Sequence, residues 1–295
     1  MALAALDRDI KAGKTNYVFE ADIKGYFDHI NHEWVQRMLD QRVDDPIIRR
    51  LVTKWLKAGV MENGVVVLNQ TGTPQGGSIS PLLSNIYLHY ALDVWFEKVF
   101  KPNCNGQANL IRFADDFVVC FQHKDEAMMF SEMLHKRMAK FGLELAPDKT
   151  RMLAFGRFAE KNEAKLGKRP ETFDFLGFTH VCETTRHGKF TVARIPTKKS
   201  KRKFMDRVRK WMKANIHLSP RQQQQKLTEM LNGYYQYFSL YGSIPKLKLI
   251  LREVKLMWGR VLIRRRSQRS RLDWEKLAAK QWYKLPSPKL KLLSR

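Results

Sequence analysis

The sequence predicts an α+β protein: an antiparallel sheet with packed helices over residues 1–195, then an all-helical, strongly basic region over residues 196–295. Three observations carry that prediction. Residues 17–141 run in the order strand, helices, paired strands, helix; two more strand-like runs end near Ile195; and beyond Pro196 only helical periodicity is legible.

Leu3, Leu6 and Ile10 recur at helical spacing over residues 1–12, and Gly13 supplies a stop. The run Tyr17-Val18-Phe19-Glu20-Ala21-Asp22-Ile23 reads as a mostly buried strand, and amphipathic helices follow at 33–39 and 47–57. Asn63-Gly64, between apolar stretches at 59–61 and 65–68, signals a tight two-residue hairpin. A glycine-rich segment at 72–77 precedes a long helix predicted over 81–100. Strands at 110–113 and 117–121 flank Asp115-Asp116, and a helix over 125–141 ends at Gly142. Strands over 173–178 and 189–195 join through a turn at His187-Gly188. Phe204, Val208, Trp211 and Met212 mark the first of three later helices. Leu227, Leu231, Tyr234 and Phe238 mark the second, which Ser219-Pro220 opens; Leu247, Leu251, Val254, Trp258 and Leu262 mark the third.

Charge changes where the periodicity does. The chain carries 54 Lys and Arg against 29 Asp and Glu, a net of +25; up to Ile195 the count is 27 against 24, and after it 27 against 5. A polycation of this kind suits a strong polyanion, because neutralising phosphates releases condensed counterions. A solvated basic face, or attraction to anionic lipid, is the plainer alternative. Aromatic residues alternate with the basic ones and either stack on bases or form core. No apolar run approaches the roughly 20 residues of a membrane-spanning helix, and the opening MALAALDRDI turns charged too early for a secretory signal, so a soluble, cytoplasmic protein is expected. Cys104, Cys120 and Cys182 show neither metal-ligand spacing nor an even count, which argues against structural zinc and a disulfide framework.

Paired aspartates at a hairpin tip are ordinarily solvated turn residues. The context of Asp115-Asp116 adds to them Asp22, a carboxylate inside an apolar run that is costly unless something neutralises it. Three carboxylates from two strands of one sheet suit hard divalent cations, and two such ions can clamp the attacking and leaving oxygens of phosphoryl transfer. The segment from Gly72 to Pro81 lets main-chain amides and Gln75 approach a nucleotide or template base; with no Gly-Lys-Ser/Thr it is not a P-loop. Lys149, in a turn where lysines are usually just solvated, could protonate a leaving pyrophosphate or merely attract its charge.

Five segments together resemble the successive palm motifs of a reverse transcriptase. They are Phe19 to Asp28 (FEADIKGYFD), Thr73-Pro74-Gln75-Gly76-Gly77 with Ser80 to Asn85 (SPLLSN), Arg112-Phe113-Ala114-Asp115-Asp116, Leu145 to Thr150, and Phe175-Leu176-Gly177-Phe178. Their order and spacing are most similar to the group II intron-encoded reverse transcriptase and maturase. Leu231 to Phe238 (LNGYYQYF) resembles that family's maturase helix, part of a thumb that helps hold intron RNA.

The resemblance implies a palm followed by a helical thumb and maturase region, and RNA-directed DNA synthesis with dNTP substrates, an RNA template and a DNA primer or target. It implies two Mg2+ ions, with Mn2+ as substitute, on Asp22, Asp115, Asp116 and the carbonyl of Ile23. Phe27 would exclude a ribose 2′-hydroxyl. Pro74, Gln75, Gly76 and Gly77 would line the nucleotide and template site, Lys149 would lie near the triphosphate, and Phe175, Leu176, Gly177 and Phe178 would grip the primer. RNA contacts are expected from Lys198, Lys199, Lys201, Arg202, Lys203, Arg264, Arg265 and Arg266. Phe113 stands where the family usually has tyrosine, which leaves both aspartates in place. With 21 residues before Asp22, most of the family's fingers region is missing, so fingers from another chain, self-association, or a catalytically weak or inactive RNA-binding splicing cofactor are the expectations. No Cys/His cluster after Ser200 supports an added zinc-dependent nuclease.

Overall fold

The computed structural model describes residues 2–58, 60–62, 65–67, 71–73, 79–264, 274–280 and 283–291. They divide into two compact units, residues 1–171 and 172–295.

In the first unit α1 (Ala2–Lys11) leads into β1 (Tyr17–Ala21). Helices α2 (His32–Leu39) and α3 (Pro46–Lys57) start at side-chain caps: Asn31 accepts from the Trp34 amide at 3.1 Å, and Asp45, just before Pro46, accepts from Ile47 at 2.7 Å. The short strands β2 (Val60–Glu62) and β3 (Val65–Val67) pair antiparallel, as the Asn63-Gly64 signal predicts; those two residues themselves lie outside the described set. α4 (Ser80–Leu88) continues as wide π-helical turns at His89–Asp93 and Phe96–Phe100, so the predicted long helix forms, though not as regular α-helix throughout. After β4 (Ala108–Phe113), β5 (Asp116–Phe121) and α5 (Lys124–Lys140) come β6 (Arg151–Ala154) and α6 (Ala159–Ala164), neither of which the periodicity reveals.

The sheet runs β4-β5-β1-β6, every pair antiparallel. Both faces are buried: on one, Phe19, Phe117, Val119 and Phe121 meet α5 and the helix that ends at Phe100, and on the other Val18, Ile111, Val118, Cys120 and Leu153 are covered, with α1 packed beside β4. Phe130 of α5 is the hub of that core, with ring centroids 5.2 Å from Phe19, 5.0 Å from Phe100 and 5.4 Å from Phe121.

The second unit begins with a three-stranded antiparallel sheet, β7 (Phe173–Phe175), β8 (Phe178–Thr184) and β9 (Phe190–Pro196), ahead of α7 (Lys198–Ala214), α8 (Pro220–Phe238), α9 (Ile244–Arg264) and α10 (Trp274–Ala278). Ser219 opens α8 with a reciprocal capping box to Gln222. Two expectations need correcting. The single strand expected over 173–178 is instead a tight hairpin, because Leu176 and Gly177 take positive φ, 49° and 76°. The division expected near Ile195 also differs from the compact units, since this sheet packs with the helices that follow it. Thr197 donates to the Gly177 carbonyl at 3.0 Å and Arg194 to that of Tyr241 at 2.8 Å, tying both hairpins to the helical layer. Trp258, fully buried, donates to Gln223 at 3.0 Å in the centre of the helices. No helix among the described residues is long and apolar enough to cross a membrane.

Candidate active site

The site grows out of the register between β1 and β5. Pairing runs from Tyr17 opposite Phe121 to Ala21 opposite Phe117, where the ladder ends, and Asp22 and Asp116 are the next residues along the two chains. Because side chains alternate along a strand, Phe19 and Ala21 share the core face with Phe117 and Val119, while Asp22 and Asp116 fall on the opposite face. Asp115 precedes Asp116 in the turn that closes β4 on β5, where Phe113 pairs with Asp116. Ala114 holds φ 56°, a left-handed conformation that tight turns normally give to glycine. Phe113 is 62% exposed, so the tyrosine-like position costs the core nothing.

Lys149 reaches the site by main-chain pairing on the other edge of β1. Ile23 bridges Leu145, with Lys24 donating to Glu144 and Ala146 to the Asp22 carbonyl, both at 2.8 Å. In that antiparallel pattern the flanking residues make the hydrogen bonds, so the Ile23 carbonyl is left on the side of β5. The chain then turns through Pro147–Lys149, and Lys149 Nζ comes to 2.5 Å from Asp22 Oδ2. This hydrogen bond and the charge of Asp22 hold the Lys149 pKa above its ordinary value.

Phe27, partly buried, packs on Tyr26 with centroids 5.4 Å apart, and the Tyr26 hydroxyl donates to the Ser84 carbonyl. Burial drives the Tyr26 pKa well above the usual phenol value. The stem of the glycine-rich segment docks here: Thr73 donates to the Phe27 carbonyl and Gly72 to that of Ile30, both at 2.8 Å, and His32 Nε2 donates to Gly72 at 2.6 Å. Pro74, Gln75, Gly76 and Gly77 lie outside the described residues, as do Arg265 and Arg266.

Phe175, Leu176, Gly177 and Phe178 form the β7–β8 turn of the second unit. Tyr237 donates to the Leu176 carbonyl at 2.8 Å and packs on Phe178 with centroids 5.3 Å apart; Ser200 donates to the Gly177 carbonyl at 3.2 Å. On α7, Lys198, Lys199, Arg202 and Lys203 are exposed, as is Arg264 at the end of α9. Lys201 differs from them: it is paired with Glu253 of α9 at 2.6 Å. Among the interleaved aromatics, Tyr234, Tyr235 and Trp258 are core, whereas Tyr237 is 49% exposed.

Sequence reasoning left Arg112 without a role. Its Nε and Nη2 engage both oxygens of Asp93 at 2.7 and 2.5 Å, and Nη1 donates to Asn85 Oδ1 at 2.9 Å and to the Ala114 carbonyl at 2.8 Å. The available signal was the one used for Asp22: charged residues inside apolar runs, here Arg112 in a strand and Asp93 in a helix, require partners.

The donor chemistry fits a hard divalent ion, since Asp22, Asp115, Asp116 and the Ile23 carbonyl offer oxygen alone. The side chains do not stand as a closed cage, however: among the described residues no group of three His, Cys, Asp or Glu is gathered to hold a metal, and Asp22 is engaged by Lys149.

The antiparallel sheet with helices packed against it is an α+β fold of the palm type, and comparison with known proteins gives its family. Residues 3–180 match the family described as reverse transcriptase (RNA-dependent DNA polymerase), and the chain belongs to it. Within that family its likeness is to group II intron-encoded proteins. It is 42% identical over 88 residues to the group II intron-encoded protein LtrA of Lactococcus lactis subsp. cremoris, covering 30% of this chain and 14% of that one. It is 40% identical over 213 residues to protein YkfC of Escherichia coli, covering 63% of this chain and 52% of that one. The chain thus spans about half the length of YkfC and a smaller share of LtrA. Among solved structures, apo telomerase from Candida tropicalis shares the fold, with TM-score 0.53 at 12% identity over 88% of this chain and 44% of that one.

Proposed function

We propose that this chain carries out RNA-templated DNA synthesis in association with a group II intron, adding deoxynucleotides to a primer 3′-hydroxyl. The observation that carries the reading is the β1–β5 register, which ends with Ala21 opposite Phe117 and so brings Asp22, the next residue, to the end of the ladder where Asp116 and Asp115 lie. In the reaction the 3′-oxygen attacks the α-phosphorus in line, a new P–O bond forms, the bond to pyrophosphate breaks and the hydroxyl proton passes to solvent. Asp22, Asp115, Asp116 and the Ile23 carbonyl would hold two magnesium ions. Metal bound there supplies Lewis-acid activation of the hydroxyl and neutralises charge on the triphosphate. Lys149, kept protonated beside Asp22, offers its proton to the departing pyrophosphate. Phe27 excludes a ribose 2′-hydroxyl. Pro74, Gln75, Gly76 and Gly77 line the nucleotide and template site, and the Phe175–Phe178 turn steadies the primer end. Exposed lysines and arginines of α7 and α9 attract the RNA backbone without reading its sequence. A cytoplasmic setting belongs to the same proposal.

A second reading, an RNA-binding splicing cofactor that keeps the palm as scaffold, is favoured by one observation: the Asp22 carboxylate is already neutralised by Lys149. Primer extension with Mg2+ on the purified chain, beside Asp115→Asn, decides between the two. Extension that Asp115→Asn abolishes is the expected result. Tight RNA binding with no extension by either protein would overturn the polymerase in favour of the cofactor.

A further inference from the structure

We infer that Arg112 is a positioning residue of this site, holding the Ala114-Asp115 turn against the helix that carries Asn85 and Asp93. This deepens the polymerase reading and rests on it. Arg112 pairs with Phe117, so it stands on the core face of the sheet, opposite the face of Asp22 and Asp116. It therefore acts on the carboxylates from behind, through the backbone that bears them.

What it holds is strained. A non-glycine residue at φ 56° sits in a sparsely populated backbone conformation and persists only where its surroundings over-determine it. Here the determinant is the Arg112 guanidinium. Asp93 fixes its plane through both carboxylate oxygens, which leaves Nη1 aimed at Ala114 O and Asn85 Oδ1. The Arg112 side chain is 13% exposed and that of Asp93 28%, so water competes weakly for these bonds. Three segments separate in sequence thus meet on one cation: the SPLLSN helix through Asn85, its continuation through Asp93, and the Asp115-Asp116 turn through Ala114. Lysine could keep the charge on Asp93 but not the fork, since a point cation cannot serve all three partners in one plane.

The test is Mn2+ binding followed by electron paramagnetic resonance, run beside Mg2+-dependent primer extension, on wild type, Asp115→Asn, Arg112→Lys, Arg112→Gln and Arg112→Lys with Ala114→Gly. In Arg112→Lys, Mn2+ affinity should fall about 10–100-fold and kcat by a similar factor, as when the support of a ligand is removed. KM for the deoxynucleotide and the melting temperature should stay near wild type. Ala114→Gly, which frees the turn of its strain, should recover part of the loss; a salt bridge that only stabilised the fold would show no such rescue. Should Arg112→Gln fail to fold, Arg112→Lys, which retains the ion pair, still decides. Arg112→Lys that matches wild type in Mn2+ affinity and kcat, with Asp115→Asn inactive, overturns this inference alone. A wild-type chain that neither binds Mn2+ nor extends a primer overturns the polymerase reading and this inference with it.

Discussion

Lys149 Nζ lies 2.5 Å from Asp22 Oδ2, each supplied by a different strand edge, so the turn after Leu145 delivers a cation to the end of β1. The pairing raises the Lys149 pKa from its ordinary 10.5, which makes the ammonium the persistent form at neutral pH. The sign follows: any stability from this pair is complete below the unfolded-state lysine pKa and is lost only as pH climbs through the raised folded value. The lysine is more than half exposed, so that stability is small. Lys149→Met should therefore leave the melting temperature nearly unchanged while lowering kcat for extension about 100-fold, the size of a general-acid contribution. A stopped-flow single-turnover assay checks it, and full activity in Lys149→Met would remove Lys149 from the chemistry.

Gly72 is fixed by two independent restraints. Its φ is 84°, and a Cβ there would stand 2.7 Å from the Phe27 carbonyl oxygen, part of a backbone that cannot swing away. Gly142 shares the positive φ, at 71°, but has nothing within 4 Å. Gly72→Ala should thus cost about 1–3 kcal/mol and Gly142→Ala about 1 kcal/mol, measured as shifts of the urea midpoint. Equal shifts would show that the close approach to Phe27 does not matter.

The basic helices distinguish lysines that sequence alone treats alike. Lys203 is exposed on α7, while Lys201 is held by Glu253. A structured RNA titrated at several salt concentrations should show binding that weakens steeply with salt, with Lys203→Ala reducing the slope by about 1 and Lys201→Ala leaving it unchanged. The opposite pattern would place the RNA on the other side of α7.

Much of this fold was legible because local chemistry and tertiary structure agree. The apolar run of β1, the cap at Ser219, and the strands around Asp115-Asp116 lie close to where the sequence predicts them. β6 was not legible: Arg151-Met152-Leu153-Ala154 has no strand signature of its own and is a strand because β1 offers it an edge, with Arg151 meeting Glu20 across the pair at 3.1 Å. The Leu176-Gly177 turn was hidden for another reason. Gly177 advertises a positive φ, but nothing in a leucine announces one; the hydrogen bonds from Tyr237, Ser200 and Thr197 fix it, and they come from residues 20 or more positions away. The division near Ile195 followed charge, whereas packing follows the β7–β9 sheet into the helical layer. Arg112 and Asp93, 19 residues apart, each looked like an isolated charge until the fold joined them.

The wide turns between His89 and Phe100 have a consequence for what lengths this stretch of chain can have. A π-turn accommodates a surplus residue within a helix, so deleting one position upstream of Asp93 would let the first wide turn rewind into ordinary helix. Rewinding takes up the lost residue, so Asp93 and the chain after it would keep their place around the helix axis and stay in register with Arg112. A single-residue gap there would thus spare the hairpin tip, whereas one between Asp93 and Phe100 would leave Asp93 in place and draw on the second wide turn instead.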